Sequence, residues 1–438
     1  MSKPSLLETA HEKTLSCVQC GYCLPVCPTY RTTGRETHSP RGRLNLVKMA
    51  AEGKLPLAEL AEPIDLCLGC RACETACPTG VEYGRIHAAA SHALSEVKRE
   101  SARTRAVRKR LLASLLPFPG RLRRAGHLLW AYQSLGFQSL ARRLNLLRLL
   151  PGNLGQWEAV LPTVPSPRDR KLPRFLPPRA PKRTGKAPEK RARVGFLHGC
   201  IMEVLFHRVN RLSMELLSHC GYEVVLLQGQ TCCGALHAHT GEVEMAVRLA
   251  KQNILAAEQG GVDWVVSNAG GCGAHLKEYP LLFAAEPDWE ERAKAFAAKV
   301  RDISQLLDEA EEQPAAKPMR EVITYQPSCH MSHVQKVTEA PRKLLRRIPG
   351  ITFREMAYAE HCCGSAGVYN LLHFEESMRI LDLKMESVRD TKAAIIVTTN
   401  PGCQLQLQMG IHRAGLDSSV RVLHLVELLA EAWGIKEA

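Results

Sequence analysis

From residue 194 to the end, short apolar runs alternate with longer amphipathic ones, and this alternation predicts strands joined by helices. Runs at 194–197, 223–227 and 262–266 have strand length, and amphipathic stretches reaching about residue 219 and covering 243–257 lie between them. The same order returns at 322–325 and 395–398. It marks an internal repeat of parallel-sheet units. The first hundred residues are different. Helices are expected at 43–52 and 83–98, and the segments between them are rich in Gly, Pro and Cys. The fold class expected is α+β multidomain: a mainly helical first domain followed by two α/β repeats.

Between these parts, residues 101–156 set Leu111, Leu112, Leu115, Leu128, Leu129, Trp130, Leu140, Leu144, Leu146 and Leu147 among arginines, a basic amphipathic helical insert. Eight prolines between Pro162 and Pro188 then predict an extended linker over 157–192. The domains expected are therefore 1–100, 101–156, 157–192, 193–312 and 319–438.

Charge sharpens this division. The formal net charge is +14, yet 101–156 contains 11 Lys/Arg and no acid, and 157–193 contains 11 more against Glu158, Asp169 and Glu189. The basic character is thus confined to the middle. A surface meeting anionic lipid or acidic partner subunits accounts for it. Nucleic acid is disfavoured, because few aromatics interleave with the arginines and no nucleic-acid motif accompanies them. No apolar run reaches spanning length and the first residues lack a signal-peptide core, so a cytoplasmic protein is expected, soluble or peripheral.

The 17 cysteines fall in tight clusters, which argues for thiolate ligands and against a disulfide framework. Cys17-x2-Cys20-x2-Cys23-x3-Cys27-Pro28 and Cys67-x2-Cys70-x2-Cys73-x3-Cys77-Pro78 both match the bacterial ferredoxin run for [4Fe-4S] clusters. Two-residue gaps let three thiolates converge on one cubane, while the fourth cysteine points to the neighbouring cluster. Cys17, Cys20, Cys23 and Cys77 are expected to hold one cluster, and Cys27, Cys67, Cys70 and Cys73 the other. The competing reading is a zinc-stabilised binding module with a basic nucleic-acid- or membrane-binding segment. Zinc motifs, however, usually supply pairs of ligands across a longer loop.

Each α/β repeat adds a lone cysteine, an adjacent pair and a fourth: Cys200, Cys232, Cys233 and Cys272, then Cys329, Cys362, Cys363 and Cys403. The pattern resembles the cysteine-rich CCG domain family of heterodisulfide reductase subunits and flavin-linked dehydrogenases. That family ends the pattern in C-x-x-C, where this chain has His275 and Gln406. A further redox or metal site, a redox-active dithiol and plain buried thiols are all open on these residues. His198, His237, His239, His330, His333 and His361 stand beside these cysteines as candidate ligands or proton relays; Cys220, outside both patterns, is expected in the core.

No glycine-rich nucleotide loop follows a strand, so no flavin or nicotinamide site is expected on this chain. Two ferredoxin quartets followed by two CCG repeats resemble the iron-sulfur subunit family of glycolate oxidase, most closely at 17–30, 39–43 and 67–78. The resemblance implies flavin-binding dehydrogenase partners that oxidise glycolate to glyoxylate, or D-lactate to pyruvate, with electrons delivered to a quinone or other membrane acceptor. The corresponding subunits of anaerobic glycerol-3-phosphate dehydrogenase and of heterodisulfide-reductase-like complexes are the alternatives within the class.

Overall fold

The computed structural model describes residues 6–97, 114–149, 153–179 and 191–437. Strands β1 (Phe175–Leu176), β2 (Arg193–Phe196), β3 (Glu223–Leu226), β4 (Trp264–Ser267) and β5 (Val300–Asp302) form one sheet in the order β1-β3-β2-β4-β5. Strands β6 (Val322–Gln326), β7 (Thr352–Phe353), β8 (Ile395–Thr398) and β9 (Arg421–His424) form a second in the order β7-β6-β8-β9. All neighbours run parallel except β1, which lies antiparallel to β3. In each sheet the chain leaves a central strand, β2 or β6, for one side and then crosses to the other. The loops splay apart at that reversal, which leaves a crevice beyond the carboxyl ends of the strands.

One apolar core runs through both repeats. Val194, Phe196 and Val266 of the first sheet belong to the same buried cluster as Ile323, Tyr325, Ile395 and Val397 of the second. The sheets meet at their carboxyl ends, where the Gly270 amide donates to the Thr399 carbonyl at 3.0 Å and the Gly271 amide to Asn400 Oδ1 at 3.1 Å. This approach requires glycine: a Cβ at Gly270 would sit 2.7 Å from the Ser328 side chain, and one at Gly273 equally close to Gln335.

The N-terminal part packs Leu44, Val47, Leu60, Ile64, Ile86, Ala90 and Leu94 into a small separate core. The helices expected at 43–52 and 83–98 are Pro40–Ala51 and Tyr83–Val97. The first begins earlier than its apolar pattern because the Ser39 hydroxyl caps it, accepting from the Gly42 amide, and Pro40 fits the first turn.

In the middle, helices Pro119–Ser134 and Phe137–Arg143 leave Leu128, Leu140 and Leu144 exposed, while Leu122 is buried. Leu111 and Leu112 lie outside the described residues. The stretch expected as free linker needs correction where it is described. Glu158, Val160 and Val164 are buried, and Phe175–Leu176 adds an edge strand to the first sheet. Glu158 accepts from Tyr132, Gln138 and Arg142, so one of the few acids of this region fastens the insert. Among the described residues no helix is long and apolar enough to cross a membrane.

Candidate metal centres

The two quartets have the same backbone. Gln19 and Gly21 in the first, and Gly69 and Arg71 in the second, all have left-handed φ of 58, 86, 62 and 63°. They occupy equivalent places, two and four residues after the first cysteine, and the repeated reversal turns successive thiols inward. Glycine takes such a φ at no steric cost. Arg71 is held there by its ion pairs with Glu74 and Glu278.

The thiols surround two hollows. Cys17, Cys20, Cys23 and Cys77 line one, together with Arg41 and Tyr83; Cys73 reaches its wall as well. Cys27, Cys67, Cys70 and Cys73 line another, with Arg43 and Tyr83. Each hollow therefore takes three cysteines from one motif and is completed from the other, by Cys77 and Cys73 in the first and by Cys27 in the second. Among the described residues no three His, Cys, Asp or Glu side chains are grouped closely enough to hold a single metal ion.

Hydrogen bonds to sulfur continue the pattern. Cys67 Sγ accepts from the Gly69 amide and the Tyr83 hydroxyl, each at 3.4 Å, and Cys77 Sγ from the Val81 amide at 3.4 Å. Such bonds favour thiolate and tune a bound cluster. Burial opposes ionisation of Cys67, yet the His87 and Arg43 cations outweigh it and bring the thiol down to about 5. Burial pushes Cys70 and Cys73 well above the usual thiol range.

The segment 39–43 serves both hollows. Arg41 donates to the Gln19 carbonyl at 3.1 Å, holding the first loop, while a Cβ at Gly42 would fall 1.9 Å from the Glu36 carbonyl. Arg43 is 1% exposed; it donates to the Pro63 carbonyl at 2.6 Å and Thr29 Oγ1 at 3.1 Å, and its Nη1 is 4.0 Å from Cys27 Sγ. Burial disfavours its charge, but Tyr83, Cys67 and Cys27 hold it protonated.

In each repeat the four further cysteines follow three adjacent strands. Cys200 follows β2, Cys232 and Cys233 follow β3, and Cys272 follows β4; Cys329, Cys362, Cys363 and Cys403 follow β6, β7 and β8 likewise. Gly234 and Gly364, at φ 89 and 92°, turn their amides onto Cys232 Sγ and Cys362 Sγ at 3.5 Å. Within each repeat neighbouring thiols interact in turn, Cys200 with Cys232, Cys232 with Cys233 and Cys233 with Cys272, and likewise Cys329 with Cys362, Cys362 with Cys363 and Cys363 with Cys403. The bond to Cys362, then burial, raises Cys329 well above the usual range, so a metal bound here has to displace protons. Cys220 lies apart, in the core.

At the two positions where the cysteine pattern breaks, the repeats differ. Gln406 exchanges hydrogen bonds with Asn370 and Ser377, whereas His275 Nε2 is buried without a hydrogen-bond partner among the described residues and burial brings its pKa to about 4. Of the other histidines, His198 pairs with Glu203 and His237 is fully buried. His239 lies between the rings of His275 and His330, at 6.3 and 5.5 Å.

The remaining histidines mark a contact that the sequence did not reveal. His330 Nε2 donates to the Gly69 carbonyl at 2.9 Å, His333 Nδ1 meets Thr75 Oγ1 at 3.0 Å, and Arg31 donates to His361 Nδ1 at 2.8 Å. The second ferredoxin quartet thus rests on the second cysteine-rich repeat, and the charge of Cys329 is felt at Cys70.

Comparison with known proteins agrees with this layout. The family model described as 4Fe-4S dicluster domain matches residues 13–81, that described as glycolate oxidase iron-sulfur subunit, linker region, matches 103–161, and that described as cysteine-rich domain matches 194–277 and 323–408. The probable glycolate oxidase iron-sulfur subunit of Bacillus subtilis is 46% identical over 427 residues, 96% of this chain and 94% of its own length. The glycolate oxidase iron-sulfur subunit of Escherichia coli is 31% identical over 95% of this chain and 93% of its own. Lactate utilization protein A of Oceanobacillus iheyensis is 35% identical over 52% of this chain and 93% of its own.

Proposed function

The chain belongs to the family of glycolate oxidase iron-sulfur subunits, and from that premise we propose that it is the electron-transfer subunit of a flavin-dependent glycolate oxidase complex. The observation that carries the reading is the pair of hollows, each walled by three cysteines of one motif together with at least one of the other. Two [4Fe-4S] clusters, when bound there, supply one-electron steps. Oxidation of glycolate to glyoxylate, or of D-lactate to pyruvate, releases two electrons together, and a flavin on a partner subunit is the group able to divide them.

The residues of this chain prepare that work in separate ways. The left-handed turns aim the thiols, the amides and the Tyr83 hydroxyl stabilise thiolate, and Arg43 places a buried positive charge beside one of the two sets. Exposed Leu128, Leu140 and Leu144 among Arg123, Arg142 and Arg143 support a peripheral contact with an anionic membrane, where a quinone acceptor resides.

Anaerobic isolation tests the reading. Roughly eight iron and eight sulfide in the two ferredoxin-type sites, with visible absorption bleached by glycolate once the flavoprotein partner is present, are expected. Stoichiometric zinc with no visible absorption would overturn it.

A further inference from the structure

The two ferredoxin-type hollows differ in what walls them. Around Cys17, Cys20 and Cys23 the wall includes exposed Val18, Gln19, Cys20, Tyr22, Pro78 and Thr79. No residue walling the hollow of Cys27, Cys67 and Cys70 is exposed. The contrast follows from the seating of the ferredoxin unit. Tyr369 donates to the Leu66 carbonyl at 3.3 Å, Lys336 to Thr75 Oγ1 at 3.1 Å, and Arg71 pairs with Glu278, so both cysteine-rich repeats close over the second loop. Among the described residues the first loop bonds only within its own unit, as where the Gln19 carbonyl accepts from Arg41 at 3.1 Å.

The open rim is apolar. Val18 is 64% exposed and Tyr22 66%, and Leu15, three residues before Val18, is 58% exposed. Charges beside the rim are spent on one another, Lys13 on Glu82 and Arg41 on Glu36. An uncharged patch with an aromatic ring, edged by paired charges, has the make-up of a protein–protein interface core. Anionic lipid and acidic partners call for unpaired cations, which the described residues of this rim lack. The thiol of Cys20 stands within the patch, so whatever covers it lies against the first cysteine set. A set enclosed on every side exchanges electrons only with its own chain, whereas one that reaches the surface meets a redox group on another.

We propose that the rim of Leu15, Val18, Tyr22 and Pro78 is the docking surface for the flavin-bearing partner, which meets it with an uncharged, apolar surface of its own. The inference deepens the electron-transfer role proposed above and rests on it. Electrons then enter the chain at the outer set, Cys17, Cys20, Cys23 and Cys77. The reduced flavin of the partner gives up two electrons one at a time and releases two protons to solvent. Each electron reduces the outer cluster by one, and the outer cluster is reoxidised as that electron passes to the inner set, Cys27, Cys67, Cys70 and Cys73. Tyr22, an exposed aromatic at the centre of the first loop, is the side chain suited to anchor the contact.

The complex isolated anaerobically with its flavoprotein is to be mixed with glycolate, and reduction of the clusters followed by freeze-quench electron paramagnetic resonance. L15D/V18D should slow that reduction about tenfold or more and loosen the flavoprotein, while iron, sulfide and reduction of both clusters by dithionite stay unchanged. L255D, which alters an exposed leucine of the first repeat, should change none of these. A photo-crosslinking residue at Val18 of the otherwise native chain should join the flavin-bearing subunit, and one at Leu255 should not. Native-rate reduction in L15D/V18D with both clusters intact would overturn the proposal. So would a Val18 crosslink that is absent, or that forms only with lipid, a flavin-free protein or a second copy of this chain. Should L15D/V18D lose its clusters, the crosslink decides. A native complex whose clusters answer dithionite but not glycolate would fail the broader reading alone, since the crosslink needs no substrate.

Discussion

Arg43 shows how much a single buried charge can do. A guanidinium 1% exposed beside Cys27 and Cys67 stabilises whatever state of that site carries more negative charge. Reduction of a thiolate-bound cluster adds one such charge, so removing the cation should make reduction harder. R43M is expected to shift the potential of the cluster on Cys27, Cys67, Cys70 and Cys73 to more negative values while leaving the other nearly unchanged, as followed by redox titration with resonance detection. The segment 39–43 that holds Arg43 was legible in the sequence, but the burial of its guanidinium was not. A basic residue on a helix ordinarily faces water, and only the packed structure reveals that this one does not. The eight ferredoxin-type cysteines were legible because their spacing is itself the geometric requirement.

At the scale of elements, two devices join parts of the chain that are far apart in sequence. His424 ends β9, accepts at Nδ1 from the Val426 amide at 3.2 Å and donates from Nε2 to the Asn268 carbonyl at 2.8 Å. That arrangement needs the neutral ring, and burial brings its pKa to about 4. A depressed histidine contributes stability that is complete above its unfolded value near 6.5 and is lost as pH falls through the folded value. Stability should therefore drop by about 3 kcal/mol between pH 6.5 and 4 on this account, and H424N should flatten that part of the denaturation–pH profile. The second device is the proposed exchange of cysteines between the two motifs. C27A should damage the cluster held chiefly by the second motif, and C77A the one held by the first; retention of both clusters in either variant would refute the exchange.

The repeated strands and the cysteines after them could be read from the sequence because parallel strands are apolar throughout and sites gather at their carboxyl ends. The edge strand Phe175–Leu176 was hidden. Its proline-rich, basic surroundings resemble a tether, yet an edge strand tolerates proline where a central one does not.

For the whole molecule, the basic middle and the redox sites answer to different surroundings. Leu128, Leu140 and Leu144 stand out of the described surface among arginines. Binding that draws on both should weaken with salt, since exposed charges are screened beyond about 10 Å at 0.1 M. Flotation with vesicles containing anionic lipid is expected at low ionic strength and should be lost at high; flotation with neutral vesicles alone would contradict the electrostatic part. How the ferredoxin unit seats on the second repeat was not legible, because His330 to Gly69 and Tyr369 to Leu66 are contacts between segments about 260 and 300 residues apart that no local pattern encodes.

The core that runs without interruption from Val194 to Val397 has a kinetic meaning. Separating the repeats would expose buried side chains and open the glycine contact at Gly270, so the two repeats should move as one body. On the proposed electron-transfer role, no hinge between the repeats should have to close before electrons cross. Their passage within the chain should be indifferent to solvent viscosity, as flash reduction in glycerol would report, whereas delivery from a partner that must first diffuse and dock should slow in proportion.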